Sequence, residues 1–117
     1  MSAFSEKGLL GELEQLVLLA VMHQRDEAYA LSICDEIASR TGIALARGSV
    51  YVALDRLTRK GYVDSAMMPP TGERGGKAKR CFRLTAHGSR ALRTAEQTLE
   101  RMRLARPAKA ARAKTRP

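Results

Sequence analysis

The hydrophobic periodicity of this sequence changes once along the chain, directly after Gly61. Before that residue, apolar side chains recur every three or four positions, a spacing typical of amphipathic helices. After it, apolar and polar residues alternate over residues 62–68 and again over residues 79–84, which predicts two strands. The segment between the strands is rich in Pro and Gly and predicts a long hairpin loop. The sequence therefore predicts a mainly α fold with a small antiparallel β-hairpin.

Two helices are expected before the middle of the chain. The first covers residues 9–24 and carries apolar residues on more than one stripe, so we expect it to be buried on two sides. A polar turn at residues 25–27 separates it from a second helix over residues 28–40. Gly42 ends the second helix by supplying left-handed C-cap geometry. A short extended piece, Ile43-Ala44-Leu45, follows.

Two further helices flank the predicted hairpin. A third helix is expected over residues 47–60, and Gly61 is a strong stop signal for it. Thr85 is expected to cap a last helix over residues 86–105. The inward stripe of the third helix is Val50, Leu54 and Leu57, and its outward face holds Arg47, Gly48, Ser49, Tyr51, Val52, Asp55 and Arg56.

Length and apolar content set limits on the protein class. A chain of 117 residues predicts one domain that buries about two-thirds of the surface its unfolded chain exposes. Its longest unbroken apolar run, residues 16–22, is far shorter than the ~20 residues that a membrane span requires. No secretory signal is visible at the N-terminus, and two cysteines are too few for a disulfide framework. We therefore expect a cytoplasmic protein with no membrane partner.

Positive charge is concentrated in the C-terminal part of the chain. The formal net charge is +9, yet residues 1–70 carry seven basic and nine acidic side chains. Residues 71–117 carry fourteen basic and three acidic side chains. This asymmetry indicates a polyanionic partner, either nucleic acid or an anionic membrane.

The order of three helices and a hairpin is the plan of a winged helix-turn-helix. In that plan the third helix enters the major groove of double-stranded DNA, and the hairpin, or wing, lies along the backbone or the minor groove. Glycines in the predicted wing let its backbone approach phosphates closely, and free N–H groups at the start of the third helix favour an anion. The expected DNA-binding residues are Arg47, Gly48, Ser49, Tyr51 and Arg56 in the helix and Arg74, Lys77, Lys79 and Arg80 in the wing.

The apolar residues of the last helix recur at 3-4-3 spacing, at Leu92, Ala95, Leu99 and Met102. They form a narrow apolar seam, which suits a helix partner. A domain this small cannot bury that seam alone, and the first helix offers a second apolar face to receive it. We therefore expect a homodimer, with residues 1–85 as the winged-helix domain, residues 86–106 as a dimerisation helix and residues 107–117 as a disordered basic tail. The expected interface residues are Leu10, Leu13 and Val17 on the first helix and Leu92, Ala95, Leu99 and Met102 on the last.

Two motifs resemble those of a known family. They are Tyr51-x-x-Leu54-x-x-Leu57-x-x-x-Gly61 and, after the glycine-rich segment, Arg80-x-Phe82-x-Leu84-Thr85-x-x-Gly88. With their surroundings, about residues 9–92, they resemble the PadR family of bacterial transcriptional regulators, and the short last helix is similar to its compact subgroup. The resemblance implies a homodimeric repressor on a palindromic operator, whose C-terminal helices pair with the partner's first helix. It also implies that Arg47, Gly48, Ser49 and Tyr51 face DNA and that Arg74, Lys77 and Lys79 are wing contacts.

The sequence departs from the family pattern in two places. Ala46 stands where the family usually has a Ser, Thr or Asn before the third helix, so a capping oxygen is missing, at a cost of about 1 kcal/mol. Drug-binding members use an aromatic-lined cavity at the dimer centre, but this chain has no Trp and no aromatic residue after Phe82. The sequence therefore identifies no small-molecule effector.

Other functions receive less support from the sequence than DNA binding does. No catalytic grouping is visible, and residues 72–78 lack the first glycine and the Ser or Thr of a phosphate loop, so we expect no enzyme and no cofactor. His23 and His87 lack partners at metal-ligand spacing, so no metal site is expected. The alternatives are an RNA-binding or ribosome-associated winged helix, a protein-interaction module, or a redox-responsive regulator in which basic neighbours favour the thiolate of Cys81.

Overall fold

The computed structural model describes residues 9–69 and 78–105. It has a mainly helical fold with a two-stranded antiparallel sheet, as the sequence predicts. The elements are α1 (Glu12–Gln24), a 3-10 turn (Arg25–Glu27), α2 (Ala30–Thr41), α3 (Arg47–Arg59), β1 (Val63–Met68), β2 (Lys79–Leu84) and α4 (Ala86–Leu104).

Local hydrogen bonds explain where the first two helices begin. The Gly11 N–H donates to Glu14 Oε1 at 3.1 Å, so α1 starts later than the apolar pattern predicts. The Tyr29 N–H donates to Ser32 Oγ at 2.9 Å, and the extended backbone of Tyr29 delays α2 in the same way. Gly42 ends α2 with φ +78°, which confirms the predicted left-handed C-cap.

A backbone hydrogen bond that the sequence does not reveal attaches the hairpin to the helical part of the fold. In the hairpin, Val63 pairs with Leu84 and Met68 with Lys79. In addition, the Phe82 N–H donates to the carbonyl of Ala28 at 2.7 Å, so the link between α1 and α2 forms an isolated bridge with β2. The middle of β2 is thereby fixed relative to the helices.

The core lies where α1 meets the other elements. α1 packs against α2, α3, β2 and α4, which confirms that it is buried on more than one side. The largest fully buried side chains are Leu18, Ile33, Leu54, Leu57, Val17, Val21, Val50 and Val63.

Within the described residues, no helix combines the length and apolar content needed to cross a membrane.

The start of α4 passes very close to the start of β1. The Thr85 hydroxyl caps α4 by accepting the Gly88 N–H at 2.9 Å, as predicted. A Cβ at Gly88 would lie only 2.1 Å from the carbonyl oxygen of Tyr62. The Thr85 N–H donates to that same oxygen at 3.1 Å, so backbone hydrogen bonding and close packing together set the position of α4.

The apolar seam of α4 is divided between the protomer's own core and solvent, which differs from the prediction of one continuous interface. Leu92 and Ala95 are buried against the rest of the chain, with Leu92 only 4% exposed. Val17 has no exposed surface and Leu10 is buried, so these two α1 residues also belong to the core, whereas Leu13 is partly buried. Leu99 is 46% exposed and Met102 71%. The unburied part of the predicted interface is therefore the second half of α4.

Candidate nucleic-acid interface

α3 presents a continuous exposed face opposite its buried stripe. Val50, Ala53, Leu54 and Leu57 point into the core, because each is buried. All of the outward residues predicted from the sequence are exposed, namely Arg47, Gly48, Ser49, Tyr51, Val52, Asp55 and Arg56. The helix is thus anchored on one side and free to contact a ligand on the other.

The N-terminus of α3 has no side-chain cap. Ala46 has the extended backbone of an N-cap, φ −68° and ψ 140°, but no side-chain hydrogen bond. The Ser49 N–H donates to the Ala46 carbonyl at 3.0 Å. No acceptor in residues 9–69 or 78–105 reaches the N–H groups of Arg47 and Gly48. Unsatisfied N–H groups at a helix start favour an anion such as a phosphate.

A serine at position 46 is expected to stabilise the free protein. In Ala46→Ser, the hydroxyl can accept an N–H of the first turn, which we expect to raise the free energy of unfolding by about 1 kcal/mol. Urea denaturation monitored by circular dichroism measures this gain. Ala44→Ser, an exposed change outside the helix start, is the matched control and is expected to have no comparable effect. Equal stability of the Ala46→Ser variant and the unmodified chain would show that the helix start is already satisfied.

Tyr51 and Arg80 line the same groove between α3 and the hairpin. The groove has a volume of about 380 Å³, with Leu54 and Phe82 among its lining residues. Arg80 Nη1 donates to Ser65 Oγ at 3.0 Å, which holds the guanidinium on the strand face toward α3. Tyr51 and Arg80 therefore line one groove, and Asp55 lines it as well. A phenol hydroxyl and a guanidinium are both suited to a backbone phosphate.

Within the part of the chain that the structure describes, the other basic residues predicted to contact DNA are not among those that line this groove. Lys79 Nζ lies 4.1 Å from the centre of the Tyr29 ring, a cation–π contact at the end of the paired strands next to the hairpin loop. Arg56 lines a separate open groove with Arg59 and His87, away from Tyr51 and Arg80. Arg74 and Lys77 lie outside the described residues. The structure thus brings Tyr51 and Arg80 together and leaves Arg56 on another flank of α3.

The expectation of a readily ionised thiol at Cys81 is wrong in direction. Burial raises the pKa of the Cys81 thiol, and the nearby positive charge of Lys79 offsets only part of this effect. A raised pKa lowers the thiolate fraction at neutral pH and works against a redox-sensing role. Cys34 is partly buried against the core. Among the residues that the structure describes, no group of three or more His, Cys, Asp or Glu side chains is placed to hold a metal ion.

Two contacts at the candidate interface were not predicted from the sequence. Ser65 holds Arg80 through a hydrogen bond between neighbouring strands. Tyr29, in the link between α1 and α2, holds Lys79 through the cation–π contact. Both depend on tertiary contacts across the 3-10 turn and the hairpin, so no local pattern signals them. Strand alternation would have placed Ser65 and Arg80 on one face had the register been known, but the register depends on the hairpin loop.

Comparison with known proteins matches most of this sequence to a family of regulators. Residues 18–94 match the transcriptional regulator PadR-like family. A comparison with curated proteins finds no match.

Solved structures show the same fold. A PadR family transcription regulator from Clostridium difficile R20291 is 20% identical, with a TM-score of 0.67 over 80% of this chain and 92% of that one. A PadR family transcriptional regulator from Eggerthella lenta is 27% identical, with a TM-score of 0.62 over 78% and 79% of the two chains. A PadR-like transcriptional regulator from Bacillus cereus is 16% identical, with a TM-score of 0.64 over 79% and 84%.

Proposed function

Because the chain belongs to the PadR-like family of transcriptional regulators, we propose that it binds operator DNA as a cytoplasmic, homodimeric repressor. The family supports DNA-binding regulation. In the proposed complex, α3 enters the major groove, the hairpin follows the backbone and a palindromic operator matches the two-fold symmetry of the dimer. Residues 1–85 bind DNA and the helix that follows joins the two protomers.

The exposed start of α3 is the observation that carries this proposal. Free N–H groups of Arg47 and Gly48 favour a phosphate, and the exposed Arg47 and Ser49 side chains stand beside them. Recognition helices of this class contact base edges with their N-terminal residues. The groove between Tyr51 and Arg80 offers a second backbone contact next to the same helix.

Dimerisation is supported by the exposed end of α4. Leu99 and Met102 form an apolar pair on a helix whose earlier seam residues, Leu92 and Ala95, are already buried. This pair is left for a partner, and we propose that a second copy covers it. Two copies related by a two-fold axis would present two α3 helices to two half-sites.

RNA binding receives little support from the aromatic side chains. Readers of single-stranded RNA stack bases on exposed aromatic residues. Among the described residues, Tyr62 and Phe82 are buried and Tyr29 lies under Lys79, which leaves Tyr51 as the half-exposed ring. One such ring on a helix face suits a phosphate contact better than a stacking platform.

Selection of duplexes from a random-sequence library tests the proposed function. We expect the recovered sites to share a palindromic motif and to be bound at least about 1,000-fold more tightly than a scrambled duplex of equal length at physiological salt. The selected site as an RNA duplex is the competitor and should fail to displace the DNA. Recovery of no common motif, or equal competition by the RNA duplex, would contradict sequence-specific DNA binding.

A further inference from the structure

The centre of the exposed face of α3 is apolar in its first two turns. Successive helix residues are about 100° apart, so the direction opposite the buried stripe falls close to Gly48, Val52, Asp55 and Arg59. The last two are charged and form an ion pair at 2.8 Å. In the N-terminal half, Gly48 and Val52 occupy the central line, while the polar side chains lie on either side of it.

Gly48 and Val52 together form a shallow apolar notch. Val52 is 55% exposed. A Cβ at Gly48 would meet no atom within 4 Å, so the surface one turn before Val52 is open. Side chains in a helix lean toward the N-terminus, which places the Val52 methyl groups over the turn that contains Gly48. Because valine is β-branched, its side chain is stiff and holds this shape.

The chemistry of the major groove identifies what the notch would meet. Base edges there present hydrogen-bond donors and acceptors, with one apolar group, the 5-methyl of thymine. A polar base edge against Val52 would lose water and gain no partner, which is unfavourable. A thymine methyl would instead bury apolar surface on both sides.

From this geometry we propose that Val52 reads the 5-methyl group of one thymine in each operator half-site, an inference that rests on the proposed function. Gly48 lets the helix approach that base, and the flanking Ser49 and Tyr51 remain free for polar contacts. Val52 is then a specificity-determining residue, and each half-site contains an A·T pair with its thymine facing the second turn of α3.

Deoxyuridine substitution in the selected duplex tests this inference. Deoxyuridine keeps the base pair and removes the 5-methyl group, so each thymine is replaced in turn, in both half-sites together. We expect one position at which affinity falls about fourfold per half-site, the effect of roughly one buried methylene-sized group. The same substitution should cost Val52→Ala less than twofold, because that variant lacks the two methyl groups. Val52 is exposed, so Val52→Ala should leave folding intact.

Leu31→Ala is the matched control. Leu31 is also an exposed apolar residue, but it lies on α2, so its variant should keep the full deoxyuridine effect. If no thymine shows an effect that depends on Val52, or if the effect persists in Val52→Ala, the inference is overturned while duplex binding stands. If no selected duplex binds tightly, the proposed function itself fails. The two failures are therefore distinguishable.

Discussion

Replacing Gly88 by alanine is expected to destabilise the protein by about 3 kcal/mol, the upper range for an overpacked site. The added Cβ would lie 2.1 Å from the Tyr62 carbonyl oxygen, a backbone atom that cannot rotate away. Moving α4 would also weaken the hydrogen bond from Thr85 N–H to that oxygen. Urea denaturation of the variant should show a lower midpoint than that of the unmodified chain.

Gly48→Ala is the matched control for this effect. Gly48 also lies in the first turn of a helix, but a Cβ there meets open space. Helix propensity favours alanine over glycine by up to about 1 kcal/mol, so this variant should be neutral or more stable. Equal stabilities for Gly88→Ala and Gly48→Ala would show that α4 does not pack against the Tyr62 carbonyl as closely as the structure places it.

Leu99→Glu is expected to produce monomers and to weaken operator binding by about 100-fold or more, because linked half-sites gain this much from joint engagement. Leu99 lies in the exposed part of the α4 seam next to Met102, where a charge would be buried without a partner in a dimer. Analytical ultracentrifugation measures the oligomeric state, and fluorescence anisotropy with the selected duplex measures the affinity.

Gln97→Glu provides the matched control for the added charge. Gln97 is exposed on the same helix, on the side away from Leu99 and Met102. Its variant should remain dimeric and bind the operator as the unmodified chain does. A folded Leu99→Glu variant that stays fully dimeric would place the interface elsewhere on the surface.

The elements of the fold were predictable because their signals are local. The change of period after Gly61, the left-handed Gly42 and the Thr85 cap each depend on a few neighbouring residues, and each was found where expected. The starts of the first two helices were predicted less accurately, since the hydrogen bonds of Glu14 and Ser32 to backbone N–H groups decide them.

Contacts between distant parts of the chain were not predictable in this way. All four seam residues of α4 were expected in the dimer interface, but Leu92 and Ala95 pack in the protomer's own core. Periodicity shows that a face is apolar and does not show which surface covers it. The direction of the Cys81 pKa shift was predicted wrongly for the same reason. The basic neighbours of Cys81 are visible in the sequence, but its burial is not.

The effect of Ser49→Ala on sequence discrimination tests the central claim, that the N-terminal half of α3 reads DNA sequence. The quantity measured is the ratio of the dissociation constants for scrambled and selected duplexes, at one salt concentration. If Ser49 contacts a base edge, the ratio falls by the equivalent of about 1–3 kcal/mol per contact. Arg80→Ala is the comparison, because a phosphate contact should weaken both duplexes alike and flatten the salt dependence.

We therefore expect Ser49→Ala to lose affinity for the selected duplex and to change little on the scrambled one, while Arg80→Ala loses affinity equally for both. Equal losses on the two duplexes for Ser49→Ala would contradict the assignment of α3 as the reading element and leave it only a positioning role.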